Sequence, residues 1–226
     1  MRLLSFCILA FYLINLLKGC TNETSEQKIT EWKIDNIEAI GGNETEVLGS
    51  PVIIESPLGK AIKFNGKTDG LIVKTNPLST WHRFTIEVLF RPDSTGEKEQ
   101  RFIHIQEVDD HRILIEIRLT ENGKWFLDTY IKSGQSDCTL YAKNHLHPLG
   151  YWYHAALIYD GLKMYHFVNG EKEFEGKVDF KPMQGGKTSI GCRLNKVYWY
   201  KGVIRKIKFS PSVLSPDKFT LLNEIS

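Results

Sequence analysis

Three stretches of the chain alternate large aliphatic residues with side chains able to do chemistry. Ile113, Ile115 and Ile117 alternate with Leu114, Glu116 and Arg118. Trp125, Leu127, Thr129 and Ile131 alternate with Phe126, Asp128 and Tyr130. Ile103 and Ile105 alternate with His104 and Gln106. In an extended strand a period of two sends alternate side chains to opposite faces. If the isoleucine face is the core, then His104, Gln106, Glu116, Arg118, Asp128 and Tyr130 share the outward face. His154, His166 and Arg193 are further candidates, from stretches that are apolar on both faces. Such a set can hydrogen-bond sugar hydroxyls, stack on sugar rings, and clamp a carboxylate or sulfate through arginine. Glu116 and Asp128 could also act as an acid/base pair, whose separation would decide the stereochemistry of glycosidic cleavage. No catalytic residue can be assigned, and whether the protein is an enzyme stays open. A plainer reading is a solvated sheet face with cross-strand ion pairs such as Arg118 with Asp128, worth ~0–1 kcal/mol each.

Other chemistries find less support. His145 and His147 would share a face if extended, but Pro148 marks a loop. A zinc site needs three or four ligands in fixed geometry, and no spacing here supplies them, so no metal site is assigned. Calcium takes oxygen ligands, and Asp69, Asp109 and Asp110 are loop candidates for it; no other cofactor is expected. Phosphate loops, dinucleotide fingerprints, nucleophile elbows and HExxH motifs are absent. Cys138 and Cys192 could form a disulfide in an oxidising compartment if their Cα atoms come within about 7 Å. Otherwise they are two buried thiols.

The elements that must position these residues are strands. Phe84, Ile86, Val88 and Phe90 fall on one face, with Thr85, Glu87 and Arg91 on the other. Residues 151–159 and 163–168 are short runs rich in aromatic and β-branched residues. Asp160-Gly161, Asn169-Gly170, Asn122-Gly123 and Asn65-Gly66 read as hairpin turns. No long amphipathic helix interrupts the pattern. The chain of 226 residues is 42% hydrophobic and 25% charged, as in an ordinary globular domain. The fold class is all-β, an antiparallel two-sheet jelly-roll sandwich over residues 29–226. Phe64, Phe90 and Trp152 are expected in the core. The net charge of +2 lacks the basic field that nucleic-acid binding requires, so no nucleic acid is expected as a partner.

The first residues read as an address. After Met1-Arg2, Leu3 to Leu17 is apolar apart from Ser5 and Asn15. A membrane-spanning helix needs about 20 residues, so this shorter run reads as a secretory signal. Leu17-Lys18-Gly19-Cys20 resembles a bacterial lipobox, although Lys18 stands where a small residue is usual. The resemblance implies a signal peptide over residues 1–19 and lipidation of Cys20. Residues 20–28 then form a polar tether between lipid and domain.

The domain also resembles a known family. Gly59-Lys60-Ala61-Ile62-Lys63-Phe64-Asn65-Gly66 is similar to the opening strand of laminin-G-like, concanavalin A-like jelly rolls. Phe84-Thr85-Ile86-Glu87-Val88 resembles the next core strand. Trp152-Tyr153-His154-Ala155 resembles the family's W-x-H-x-A strand. Ser189-Ile190-Gly191, Tyr200 to Ile204 and Leu214-Ser215-Pro216 resemble its closing elements. The family often carries an acidic pair after the last isoleucine, where this chain has Arg205-Lys206. The resemblance implies carbohydrate or polysaccharide as partner. With the lipobox it suggests a lectin-like protein of the bacterial cell envelope, membrane-anchored and facing the periplasm or exterior. The alternatives are a polysaccharide lyase or glycoside hydrolase using the same face, or a protein-interaction module.

Overall fold

The computed structural model describes residues 28–107 and 110–225; the leader, Cys20 and Asp109 lie outside them. In chain order the strands are β1 (Thr30–Lys33), β2 (Ala39–Ile40), β3 (Asn43–Leu48), β4 (Val52–Ile54), β5 (Ala61–Asn65) and β6 (Gly70–Val73). Then come β7 (Phe84–Pro92), β8 (Glu99–Gln106), β9 (Arg112–Leu119), β10 (Lys124–Ser133), β11 (Ser136–Tyr141) and β12 (His147–Pro148). The last are β13 (Tyr153–Tyr159), β14 (Lys163–Val168), β15 (Glu171–Lys177), β16 (Lys187–Ile190) and β17 (Lys201–Ser210).

They form two sheets. The first has eight strands in the order β15-β14-β13-β7-β17-β5-β4, with β1 also on β17. The second has nine, β11-β10-β9-β8-β16-β6-β3-β2, with β12 on the start of β10. Strand pairing is antiparallel throughout. Local hairpins alternate with crossings between sheets, as a two-layer jelly roll requires. The core is the seam between the inner faces. Phe90 stacks on Phe102 at 4.6 Å, and its ring edge meets Trp125 at 5.4 Å. Burying each such side chain contributes ~1.5–3 kcal/mol.

The turns follow from their residues, with one correction. Asn169 and Gly170 have φ of 48° and 84°, the left-handed pair that closes a two-residue hairpin between β14 and β15. Asp160-Gly161 joins β13 to β14. Asn65-Gly66 does not close a hairpin: it carries the chain from β5 in the first sheet to β6 in the second. Asp69 ties this crossing, accepting from the backbone N–H groups of Ser50 and Asn65 and from the Asn65 amide. Its carboxylate is buried and saturated by protein donors. Among the described residues, no group of three or more histidine, cysteine or acidic side chains is arranged to hold a metal.

The expected core also needs one correction. Phe64 and Phe90 are fully buried, but Trp152 is only half-buried. Strand β13 turns Tyr153 inward instead, edge-on to Trp125 at 4.9 Å. Alternation from Tyr153 then sends His154, Ala156 and Ile158 to the outer face of the first sheet. There the C-terminal segment covers them: Phe219 packs against Ala156, Ile158 and Phe167 in a second small core.

Candidate functional site

The outer face of the second sheet is built as a ladder of rungs. Lys187, Gln106, Arg112 and Lys132 stand opposite one another across β16, β8, β9 and β10. The next rung is Ser189, His104, Leu114, Tyr130 and Thr139. Then come Arg101, Glu116, Asp128 and Tyr141, and after them Glu99, Arg118 and Phe126. Thus His104, Gln106, Glu116, Arg118, Asp128 and Tyr130 do share one face. Arg193 joins them from the loop after β16, whose Leu194 N–H donates to His104 Nδ1 at 3.0 Å.

The other two candidates lie elsewhere. His154 is on the outer face of the first sheet, fully buried beneath Phe219 and 3.2 Å from Glu87 Oε1. His166 points inward between the sheets, with Nδ1 3.0 Å from Thr129 Oγ1. Burial, with smaller contributions from His145 and His147, pulls its pKa to about 3, so it is neutral. Its strand, apolar on both faces, carried no parity that could have placed it.

The shared face is closed rather than hollow. Asp128 is 0% exposed, His104 1%, Glu116 3% and Arg101 8%. Arg101 Nε lies 2.6 Å from Glu116 Oε2, and Arg118 Nε donates to Asp128 Oδ2 at 2.7 Å. Arg118 also reaches Glu99 and, at 3.5 Å, Glu116. Two guanidinium groups therefore meet three carboxyl groups. Of these, Glu116 and Asp128 are buried, while Glu99 is partly open to water. Burial, and then the Asp128 carboxylate, push Glu116 up to about 8, so it holds its proton at neutral pH. Burial also raises Asp128, against the pull of Arg118.

This arrangement bears on chemistry. A glycosidase pair needs ~5–9.5 Å between carboxyl groups to admit a scissile bond or a water. Glu116 and Asp128 stand directly opposite across β9 and β10, are buried, and are both reached by Arg118, so neither is open to a sugar. They form a platform, and what it presents outward is aromatic. The Tyr198 ring lies 3.7 Å above the Arg101 guanidinium, and Tyr141 sits over Arg118 at 5.6 Å. Tyr198 is 40% exposed and Tyr141 42%. Tyr198 has φ of 57°, an uncommon conformation for a bulky residue. Its carbonyl accepts the Arg101 backbone N–H at 2.9 Å, which helps hold it there. Beside it a groove of about 640 Å³ runs past Glu97, Lys98, Glu99, Val197 and Trp199. The loop that carries Tyr198 begins at Gly191 (φ 82°), where a methyl group would meet Phe64 Cδ1 at 2.4 Å.

Sequence reasoning missed Glu99, Arg101, Tyr141 and Tyr198. Strict alternation back from His104 would put Arg101 on the core side, but a β-bulge between Arg101 and Ile103 reverses the parity. Of the two alternatives for the cysteines, the structure has the free thiols, Cys192 buried and Cys138 partly buried. Cys138 is on β11 and Cys192 follows β16, strands four spacings apart, or ~19 Å at ~4.8 Å per strand. No disulfide spans that.

A two-sheet antiparallel jelly roll whose outer strand face gathers arginine, carboxylates and tyrosine belongs to the class of concanavalin A-like folds. The chain is a member of the family described as the concanavalin A-like lectin/glucanases superfamily, whose sequence profile matches residues 65–218. No curated protein sequence matches the chain. Among solved structures it resembles domain 4 of AbnA, an extracellular arabinanase from Geobacillus stearothermophilus, seen in complex with arabinotriose. The TM-score is 0.65 at 19% identity, covering 86% of this chain and 98% of that domain. It also resembles the binding domain of botulinum neurotoxin DC in complex with SialylT, at TM-score 0.65 and 15% identity. That match covers 88% of this chain and 52% of that domain. A pentraxin from Limulus polyphemus matches at TM-score 0.53 and 16% identity, over 69% of this chain and 77% of its own. At these identities the likeness is one of fold.

Proposed function

We propose that the protein is a non-catalytic, lectin-like glycan-binding domain, exported and held at the bacterial envelope by lipid on Cys20. The observation that carries this reading is Tyr198: an exposed ring in a strained backbone conformation, stacked on a buried arginine beside a groove. A ring held rigid in advance loses little conformational freedom when a sugar stacks on it. Tyr141 supplies a second such surface over Arg118. The structural likeness to domains seen with arabinotriose and SialylT supports the same reading.

Catalysis by this face is the lesser reading, because its carboxylates are buried and tied to arginines. The tether leads into β1, on the first sheet. The glycan face is the outer surface of the opposite sheet.

The test is a glycan array followed by calorimetry on the best ligand. Tyr198→Ala should weaken binding about tenfold, the equivalent of ~1.4 kcal/mol, and Tyr141→Ala by a similar amount. Wild type that binds no glycan, or variants that bind as wild type does, would remove the reading. Release of unsaturated uronate products, followed by ultraviolet absorbance, would overturn the non-catalytic assignment. Labelling with a fatty-acid analogue should be lost in Cys20→Ala; labelling that persists there would remove the anchor.

A further inference from the structure

Arg205-Lys206 stands in β17 where the family often carries an acidic pair. A register shift between Ile204 and Lys206 breaks the regular pairing of β17 with β7. In a regular strand successive side chains point to opposite faces; at this bulge both turn to one side. Arg205 Nη1 and Lys206 Nζ both donate to the Glu224 carboxylate, at 2.8 and 2.6 Å. Lys206 also meets Glu31 at 3.3 Å. These two cations are thus answered. Lys33 adds a third, directly opposite Lys206 across β1 and β17, where like charges repel. Lys60 adds a fourth from the turn before β5.

Together with Asp35 these side chains line a pocket of about 190 Å³. Among the described residues Lys33 and Lys60 form no ion pair, and neither does Asp35. Arg205 Nε is a buried donor without an acceptor. The walls are fixed in advance. Gly59 has φ of 100°, and a methyl group there would stand 3.3 Å from Arg205 Nη2, so its absence gives the guanidinium room. The Ser56 hydroxyl holds that turn by donating to the Gly59 carbonyl at 2.6 Å. The Ile34 N–H donates to the Arg205 carbonyl at 2.8 Å, which fixes the backbone between Lys33 and Asp35. Two amines and a guanidinium N–H therefore lack an anion, and one carboxylate lacks a cation. A bare anion would answer the first three and leave Asp35. A zwitterion answers all four.

We propose that Lys33, Lys60, Arg205 and Asp35 form a pocket for a phosphoethanolamine group. The phosphate lies against the two amines and Arg205 Nε–H, and the ammonium donates to Asp35. A phospholipid headgroup is the nearest source: Lys33 follows Cys20 by 13 residues, at most ~45 Å of extended chain. That source rests on the anchor proposed above. The glycan reading uses none of these residues, so either can fail alone.

The first arm of the experiment follows thermal unfolding of purified protein at constant ionic strength. The probes are glycerophosphoethanolamine, glycerophosphocholine and inorganic phosphate. Glycerophosphoethanolamine should stabilise wild type in a saturable way and bind about tenfold more tightly than glycerophosphocholine, whose methylated nitrogen has no proton to donate. Lys33→Ala and Lys60→Ala replace exposed side chains, so both variants should fold, yet each should weaken glycerophosphoethanolamine about tenfold. Asp35→Asn should remove the preference between the two esters. No response in wild type, or an undiminished response in the lysine variants, overturns the pocket. Equal binding of the two esters, or equal binding of inorganic phosphate, overturns the zwitterion. The second arm floats the Cys20→Ala chain, which has no acyl group to hold it, with phosphatidylcholine vesicles containing phosphatidylethanolamine or phosphatidylglycerol. Flotation should need phosphatidylethanolamine and should fall in Lys60→Ala. Equal flotation with phosphatidylglycerol overturns the assignment. Binding of glycerophosphoethanolamine without flotation upholds the pocket and removes the membrane as its source.

Discussion

Glu116→Gln tests whether the buried face works as a charge-balanced platform. Glutamine has the shape of a protonated glutamate: its carbonyl can still accept from Arg101 and its amide can still donate to Asp128. In the wild type the fold holds Glu116 protonated up to about pH 8, whereas the unfolded chain releases that proton near 4.5. Across that window the folded state binds more protons than the unfolded state. Stability therefore falls as pH rises, by up to about 1.4 kcal/mol per pH unit for one proton. Below the unfolded value both states are protonated and no penalty exists. Glu116→Gln has no proton to lose, so groups that do not face Glu116 cancel in the difference, and the coupled Asp128 is followed in its own variant. At the acid end of the window the two proteins should agree within about 1 kcal/mol. By its alkaline end the variant should be the more stable by a few kcal/mol. Asp128→Asn is the opposing control, because it strips Arg118 of its closest buried partner and should cost ~3–5 kcal/mol. The assay is urea unfolding by tryptophan fluorescence at a series of pH values. Parallel stability curves for wild type and Glu116→Gln would show that Glu116 is ionised in the fold and that the charge accounting is wrong.

Two further outcomes test the packing. Phe219 is 1% exposed, edge-on to Phe167 at 5.4 Å and 5.1 Å from the His154 ring. Phe219→Ala should cost ~3–5 kcal/mol in urea unfolding and speed hydrogen exchange at Leu221, whose N–H donates to Glu87. A loss below ~1 kcal/mol would mean that the C-terminal segment does not hold the first sheet's outer face. Cys192 is buried, and burial pushes its thiol up to about 12, so it should resist alkylation in the folded protein. Under non-reducing denaturation both Cys138 and Cys192 should be labelled, as read by peptide mass; a Cys138–Cys192 crosslinked peptide would contradict the strand order.

What the sequence determined is what depends on neighbours along the chain. Ile113, Ile115 and Ile117 face the core because a strand repeats every two residues, and Glu116 and Arg118 must then face the other way. Asn169-Gly170 closes its hairpin because those residues tolerate positive φ. Family motifs, read in order, implied the two-sheet jelly roll. What the tertiary structure decided depends on residues far apart in sequence. Tyr198 reaches Arg101 only because the loop after β16 folds back over β8. The bulge after Arg101 reverses a parity that a regular repeat cannot foresee. His166 points inward because β14 pairs with β13 in the register that puts it opposite Leu157. His154 is closed off by Phe219, from the far end of the chain. Alternation sorts side chains into two sides; only the packing of sheet on sheet, and of loops on sheet, decides whether a side meets water, protein or a ligand.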